Sequence, residues 1–429
     1  MAAPVADVQP LRTLRYDPRA VGSLEAVAAP PYDVIDAPMR AELQSRSPFN
    51  VVEIDLPQAP DGGDPYQHAQ ETLEEWTHQG ILVREREPAL WVMTQDYTGP
   101  DGNAYTRHGF FARVRVDDYG PGRIRPHERT QPGPKEDRLR LTRATRANLS
   151  PIFSLFPDAE GEAWSALEPV TADEPFARVT DSDGTTNRLW RAGAPETIER
   201  VQSALADREL LIADGHHRYE TARVYAREVG GEGEHSYVLM FLTALEDPGL
   251  TIFPTHRLLP AGSTTSEQQE KLGQAIKRHF EIEEIPPGEL EPPPATDAAD
   301  PVQLGYMDSH FKRAFRLTLT DQAAVDAALE GRSEAYRRLD TAVLEALLLK
   351  GALGLSEDDI AAKRGIDYSK SFADALDAVE SARADAAFFM RATPVEQVRA
   401  VAEAAESMPP KSTYFFPKIP TGLVFSPLE

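Results

Sequence analysis

Apolar and polar positions along the chain alternate between strand-like and helix-like periods in no fixed order. Residues 24 to 57 read as an extended stretch, EAVAAPPYDVI, then a short helix from Pro38 to about Ser45. The β-branched run NVVEIDLP follows, bounded by Asn50 and Pro57, and is predicted as a strand. After the turn cluster DGGDP at 61 to 65, Tyr66, Ala69, Leu73, Trp76 and Ile81 recur at helical spacing. LWVMTQDYT (90 to 98) and YTRHGFFARVRV (105 to 116) flank Gly99-Pro100-Asp101-Gly102-Asn103, residues that accept turn dihedrals, so a hairpin is predicted. SPIFSLF gives a further strand, and PFARVTDSDGTTNRLWRA a second hairpin around Asp183-Gly184. A helix from Pro195 to about Asp207 leads into the strand RELLIAD. Beyond the DGHHR turn come a helix to about Val229, the strands YVLMFLTAL and LTIFPTHRLL, and a helix near 264 to 279.

The stretch EEIPPGELEPPPATDAADP (283 to 301), rich in proline and acid, is predicted as a linker or long surface loop. Past it, VQLGYMDSHFKRAFRLTL reads as a hairpin and LDTAVLEALLLKGAL as a buried helix. AAFFMRATPVEQVRAVAEAAE reads as a strand, then a helix capped by Thr393 with Pro394 in its first turn. Strand pairs are mixed with helices instead of alternating with them, which predicts an α+β fold with mixed and antiparallel sheets. The expected organisation is a main α+β domain over 1–285, a Pro-rich acidic loop over 286–301, and a C-terminal α+β portion over 302–429 that packs on the first.

Composition narrows the chemistry. The chain of 429 residues has no cysteine, which removes disulfides, thiolate catalysis and Cys-containing metal motifs. A net charge of -24, from 69 acidic against 45 basic residues, disfavours nucleic acid and anionic lipid as partners. No apolar run is long enough to cross a bilayer, and the opening MAAPVADVQPLRTLRYD has neither a basic region nor an apolar core of a leader, so a cytoplasmic protein is expected.

Three constellations carry candidate chemistry. In LLIADGHHRYETARVYA a strand ends, Gly215 permits a sharp turn, and Ala222, Tyr225, Ala226 and Val229 mark a helix. A helix start offers backbone donors and partial positive charge to an anion. Arg218 adds a fork suited to phosphate, and His216 and His217 add donors or a titratable base. The plain alternative is that Asp214 only caps the helix. The second constellation is RIRPHERTQPGPKEDRLRLTRATRANLSP (123 to 151), with eight Lys or Arg against three Asp or Glu. On a helix from near Lys135, the residues Lys135, Arg138, Thr142, Thr145 and Arg146 share one arc, an anion-facing stripe. The alternative is a solvated helix with pairs such as Glu136 with Arg140 and Arg143. Glu128 is a candidate general base or magnesium ligand. The third, Lys411-Ser412-Thr413-Tyr414, lacks the glycines of a nucleotide loop. Neither histidine has the partners of a zinc set, so no zinc site is expected.

The blocks APPYDVI, NVVEIDLP, HERTQPGPKEDRLRLTRATRANLSPIF, IADGHHRYETA, FPTHRLL and MPPKSTYFFPK together resemble the domain-of-unknown-function family 1015 across almost the whole chain. The Asp-Gly-His-x-Arg turn is similar to the motif of the ParB and sulfiredoxin superfamily, whose free serine kinases hold phosphate at this turn. The resemblance implies a ParB/sulfiredoxin-like strand-turn-helix core, with Asp214, Gly215, His216 and Arg218 as phosphate-site residues and His217 at the variable place. The sulfiredoxin branch needs a reactive Cys, which this chain lacks, and its charge opposes DNA binding of the ParB kind. Taken together, these readings predict a metal-assisted phosphotransferase for a small hydroxyl substrate such as free serine. Magnesium would assist, and a nucleotide or diphosphate would be the donor. In that role Glu128, His216 and Asp214 act catalytically, while Gly215, His217, Arg218, Lys135, Arg138 and Arg146 hold phosphate. The alternative from another class is a non-catalytic sensor of a phosphorylated metabolite or nucleotide.

Overall fold

The computed structural model describes residues 6–59, 62–121, 123–128, 130, 132–295 and 300–429. The fold is α+β. Two compact units divide the chain, the first taking residues up to Pro126, Thr130–Thr251 and Pro417–Glu429, the second Ile252–Phe416 together with the segment around His127 and Glu128.

The first unit is built on a nine-stranded mixed sheet. Its strands are β1 (Val8–Gln9), β2 (Leu90–Thr98), β3 (Ala104–Arg115), β4 (Ile124–Arg125), β5 (Ile152–Phe156), β6 (Ala177–Thr180), β7 (Thr186–Ala192), β8 (Leu210–Asp214) and β9 (Tyr237–Ala244). They lie in the order β4-β8-β5-β9-β3-β2-β7-β6, with β1 alongside β3. The pairs β8 with β4 and β9 with β5 are parallel, and the remaining pairs are antiparallel. Both hairpins predicted within this unit form. In the first, Gly102 takes φ +77°, a left-handed turn conformation that glycine adopts without a Cβ penalty.

Helices α1 (Pro132–Thr145) and α2 (His216–Val229) belong to this unit. Tyr219 and Ala222 of α2 pack with Phe110, Ile152, Ile212 and Met240 of the sheet. Leu141 of α1 joins a second core with Val27, Val52, Leu73, Trp76 and Phe425. The run NVVEIDLP, expected as a strand, is instead a short helix, Val52–Asp55. The cause is Asn50, which is fully buried and donates to the carbonyls of Ala26 and Ala28 while accepting from the Val52 N–H. These bonds fix the turn before the helix and override the β preference of the branched side chains.

The second unit carries a six-stranded sheet of β10 (His256–Pro260), β11 (Phe280–Ile285), β12 (Gln303–Asp308), β13 (Ala314–Leu319), β14 (Asp367–Ser369) and β15 (Ala384–Phe389), in the order β11-β13-β12-β15-β10-β14. LTIFPTHRLL does not run as one strand: Pro254 and Thr255 separate Thr251–Phe253 from β10. The acidic Pro-rich stretch begins inside β11, which pairs with β13 through Glu283 and Glu284. Its following turn buries Leu290, whose carbonyl lies so near Gly305 that a Cβ there would come within 1.8 Å. Residues 296–299 of that stretch lie outside the described residues. The helix Val395–Glu403 is not capped by Thr393. Pro394 holds the cap position, and the Thr393 hydroxyl donates to the Ser412 carbonyl instead.

Candidate functional site

The strand-turn-helix predicted around Asp214 forms as read. β8 closes on Asp214, Gly215 turns at φ +96°, and α2 starts at His216 with no side-chain cap. Helix geometry leaves the first-turn amides without intrahelical acceptors, and the macrodipole adds partial positive charge there. A register shift against β5 between Ile212 and Asp214 sets Asp214 opposite Phe153. Such an irregularity re-aims the strand's last side chain. The expectation that Asp214 caps α2 does not hold; its carboxylate accepts from Arg218 at 3.2 Å and lies 3.7 Å from Lys418 Nζ.

Arg218 is the centre of the arrangement. Its side chain is only 10% exposed, and it donates to the Pro151 carbonyl and to Asp214. Its Nε is buried without a hydrogen-bond partner among the described residues and lies over the turn, 3.0 Å from where a Gly215 Cβ would stand. The Tyr32 ring sits 5.9 Å from this guanidinium and 4.1 Å from that of Arg138. Burial works against the Arg218 charge, but Asp214, Asp33, Tyr32 and Asp55 outweigh it, and the group is held above its ordinary pKa. Burial likewise pushes the Tyr32 hydroxyl up to about 12, against the two arginines.

Arg138 shares this neighbourhood but not an open stripe. It is buried, donates to the Asp55 carbonyl, and pairs with the Asp55 carboxylate at 3.3 Å and Asp137 at 2.7 Å. Asp55 also accepts from Ser150 at 2.6 Å. Arg138, Asp55, Ser150, Thr221 and Arg218 line one small cavity of about 40 Å³. Lys135 is half-buried, and its carbonyl accepts from Thr221 of α2 at 3.4 Å, so α1 and α2 meet beside the turn. The expected arc does not act as one surface. Thr142 and Thr145 turn their hydroxyls back to the carbonyls of Arg138 and Leu141. Arg146 pairs with Glu429 and lines a different surface groove with Tyr225 and His235. Arg143 does pair with Glu136, at 3.8 Å, as well as with Glu228.

His216 is buried and His217 half-buried on the first turn of α2. Glu128 is half-buried and belongs with the second unit, where neighbouring His127 pairs through Nε2 with Thr413 and accepts from the Met408 N–H. Among the described residues no three His, Asp or Glu side chains are grouped to hold a metal ion. No helix among them is long and apolar enough to cross a membrane.

Sequence reasoning missed Tyr32, Asp55, Pro151 and Lys418. Each lies inside a block already quoted for the family resemblance: APPYDVI, NVVEIDLP, the run ending LSPIF, and MPPKSTYFFPK. The four blocks meet at Arg218 and Asp214, a convergence that block order along a chain does not reveal.

An α+β protein with an uncapped helix start and a buried arginine folded over it is the class these features define. The family model described as Protein of unknown function (DUF1015) matches residues 8–342, and the chain belongs to that family. No curated protein matches the sequence. Among solved structures, a conserved hypothetical protein from Pyrococcus furiosus is similar at 14% identity and TM-score 0.35, covering 74% of this chain and 94% of its own. A free serine kinase variant in complex with ADP is similar at 13% identity and TM-score 0.39, covering 74% and 92%. SbnI from Staphylococcus aureus, truncated at its C-terminus, is similar at 12% identity and TM-score 0.35, covering 74% and 87%. Superpositions this loose carry no functional information.

Proposed function

We propose that the protein binds phosphate at the start of α2 and transfers a phosphoryl group to a small hydroxyl substrate, free serine being the first to test. The observation that carries the reading is Arg218, whose buried Nε, without a hydrogen-bond partner among the described residues, lies over the start of α2. Phosphoryl transfer asks mainly for positioning and charge neutralisation, which backbone donors, a buried guanidinium and a nearby ammonium supply. The resemblance of Asp214, Gly215, His216 and Arg218 to the ParB/sulfiredoxin motif supports the same reading. His216 or Asp214 would take the hydroxyl proton. Magnesium is bound in many phosphotransferases by one or two carboxylates plus substrate phosphates, so the Asp214 carboxylate would be the residue to hold it, with no protein-only metal cluster among the described residues.

A second reading is favoured by Asp214 itself, which is already engaged by Arg218 and Lys418. A carboxylate so held suits a non-catalytic sensor of a phosphorylated metabolite or nucleotide. Purified protein incubated with serine, magnesium and ATP, ADP or diphosphate in turn should yield phosphoserine, followed by ³¹P NMR. His216→Asn and Asp214→Asn identify the base by the one whose loss abolishes turnover. No product with any donor, together with phosphoserine binding that Arg218→Ala removes, would leave the sensor.

A further inference from the structure

The middle of the first unit's sheet holds a buried polar row that no packing argument explains. Arg107 on β3, Gln95 on β2 and Asn187 on β7 stand opposite one another in register, and all three are essentially inaccessible. Arg107 donates to Gln95, which donates in turn to Asn187 at 2.7 Å. Its guanidinium lies 4.6 Å over the Phe153 ring, and Phe153 is the residue opposite Asp214. Burial lowers the Arg107 pKa to about 9, so the charge is kept there at a cost.

What the row grips is backbone. Arg107 donates to the Pro417 carbonyl, and Gln95 donates to the Lys418 carbonyl at 3.2 Å. The side chain presented by this grip is Lys418, only 15% exposed, with Nζ 3.7 Å from Asp214 Oδ2. Arg218 Nη2 reaches the same oxygen at 3.2 Å. Two cations from distant parts of the sequence therefore share one carboxylate oxygen at the uncapped end of α2. Asp214 already has the Arg218 guanidinium beside it, so a second cation held there by a sheet-wide clamp exceeds what one carboxylate needs as a counterion.

We infer that Lys418 is a ligand-contacting residue of the phosphate site, positioned by the Arg107–Gln95–Asn187 row, and that Asp214 is the internal counterion which an incoming phosphate displaces from it. This rests on the reading of α2 as a phosphate site. The probe is inorganic phosphate, its affinity measured by calorimetry on the full chain as wild type, Lys418→Met, Asp214→Asn, the double variant, and Gln95→Met, with thermal unfolding to confirm that each is folded. Losing a charged contact should weaken binding about tenfold in Lys418→Met. Asp214→Asn should tighten binding, and that gain should be clearly smaller in the Lys418→Met background, where only the competition for Arg218 is left to relieve. Gln95→Met should weaken binding although Lys418 is retained. Unchanged affinity in Lys418→Met, or an Asp214→Asn gain of equal size in both backgrounds, overturns the inference while leaving the phosphate site standing. Wild type that binds no phosphate overturns the site and the inference together.

Discussion

Arg218 Nε lies 3.0 Å from the point where a Cβ on Gly215 would stand, and Gly215 itself holds φ at +96°. The glycine therefore answers two demands, a left-handed backbone and room for a guanidinium folded over the turn. Gly161 starts another helix at φ +66° with nothing within 4 Å of its would-be Cβ, so it carries the backbone demand alone. Gly215→Ala is expected to destabilise the protein by about 1–3 kcal/mol and to abolish phosphate binding. Gly161→Ala should lie at the low end of that range and leave binding intact. Urea unfolding and calorimetry on the two variants check this, and equal effects would show that Arg218 does not depend on the turn.

Asp55 and Arg138 form a pair in which each side chain is 6% exposed, and removing one partner strands the other. Arg138→Met should cost about 3–5 kcal/mol by leaving a buried carboxylate with Ser150 as its remaining side-chain donor among the described residues. Arg138→Met with Asp55→Asn should recover a large part of that loss. Arg138 then acts through the scaffold under Arg218 and not as an open phosphate ligand. A large fall in phosphate affinity with stability unchanged would reverse that assignment.

Much of the fold was legible because its signals are local. The hairpin at Gly99 to Asn103, the strand RELLIAD and the helix after it follow from turn residues and periodicity close in sequence. The errors arise where distant groups decide. Val52–Asp55 is helical because Asn50 bonds to Ala26 and Ala28, and nothing in NVVEIDLP announces those partners. Thr393 looks like a cap, yet its hydroxyl is claimed by the Ser412 carbonyl.

The candidate site divides in the same way. Asp214, Gly215 and Arg218 were readable as a unit because four functional side chains crowd into five residues at a strand end. The basic stripe was not, because helical spacing sets which residues share a face but not what that face meets. Arg138 meets Asp55 and is buried, while Arg146 meets Glu429 at another surface. Lys418 was invisible because its placement depends on the carbonyls of Pro417 and Lys418 being gripped by Arg107 and Gln95. The second unit shows a related arrangement: buried Arg257 donates to the carbonyls of Pro410 and Lys411, and Lys411 is held at φ +57°. Each Pro-Lys step of MPPKSTYFFPK is thus fixed through its backbone by a buried arginine.

His256 gives the second unit a pH dependence that can be isolated. It is fully buried on β10, and its Nδ1 accepts from the Met390 N–H at 3.1 Å, which places the ring proton on Nε2, 3.6 Å from Glu291. Burial, aided by Arg257, lowers its pKa from 6.5 to about 4. Between those values the unfolded chain binds a proton that the folded protein refuses. The stability from this residue is therefore complete above about pH 6.5 and is lost as pH falls towards 4, by about 3 kcal/mol in all. Glu291, raised by burial, contributes with the opposite sign but is present in wild type and variant alike. His256→Asn keeps an acceptor for Met390 and does not titrate. Urea unfolding at pH 7.5 and 4.5 should show wild type losing stability relative to this variant by most of that amount. A wild-type-to-variant difference that is the same at both pH values would show that His256 is not held neutral in the folded protein.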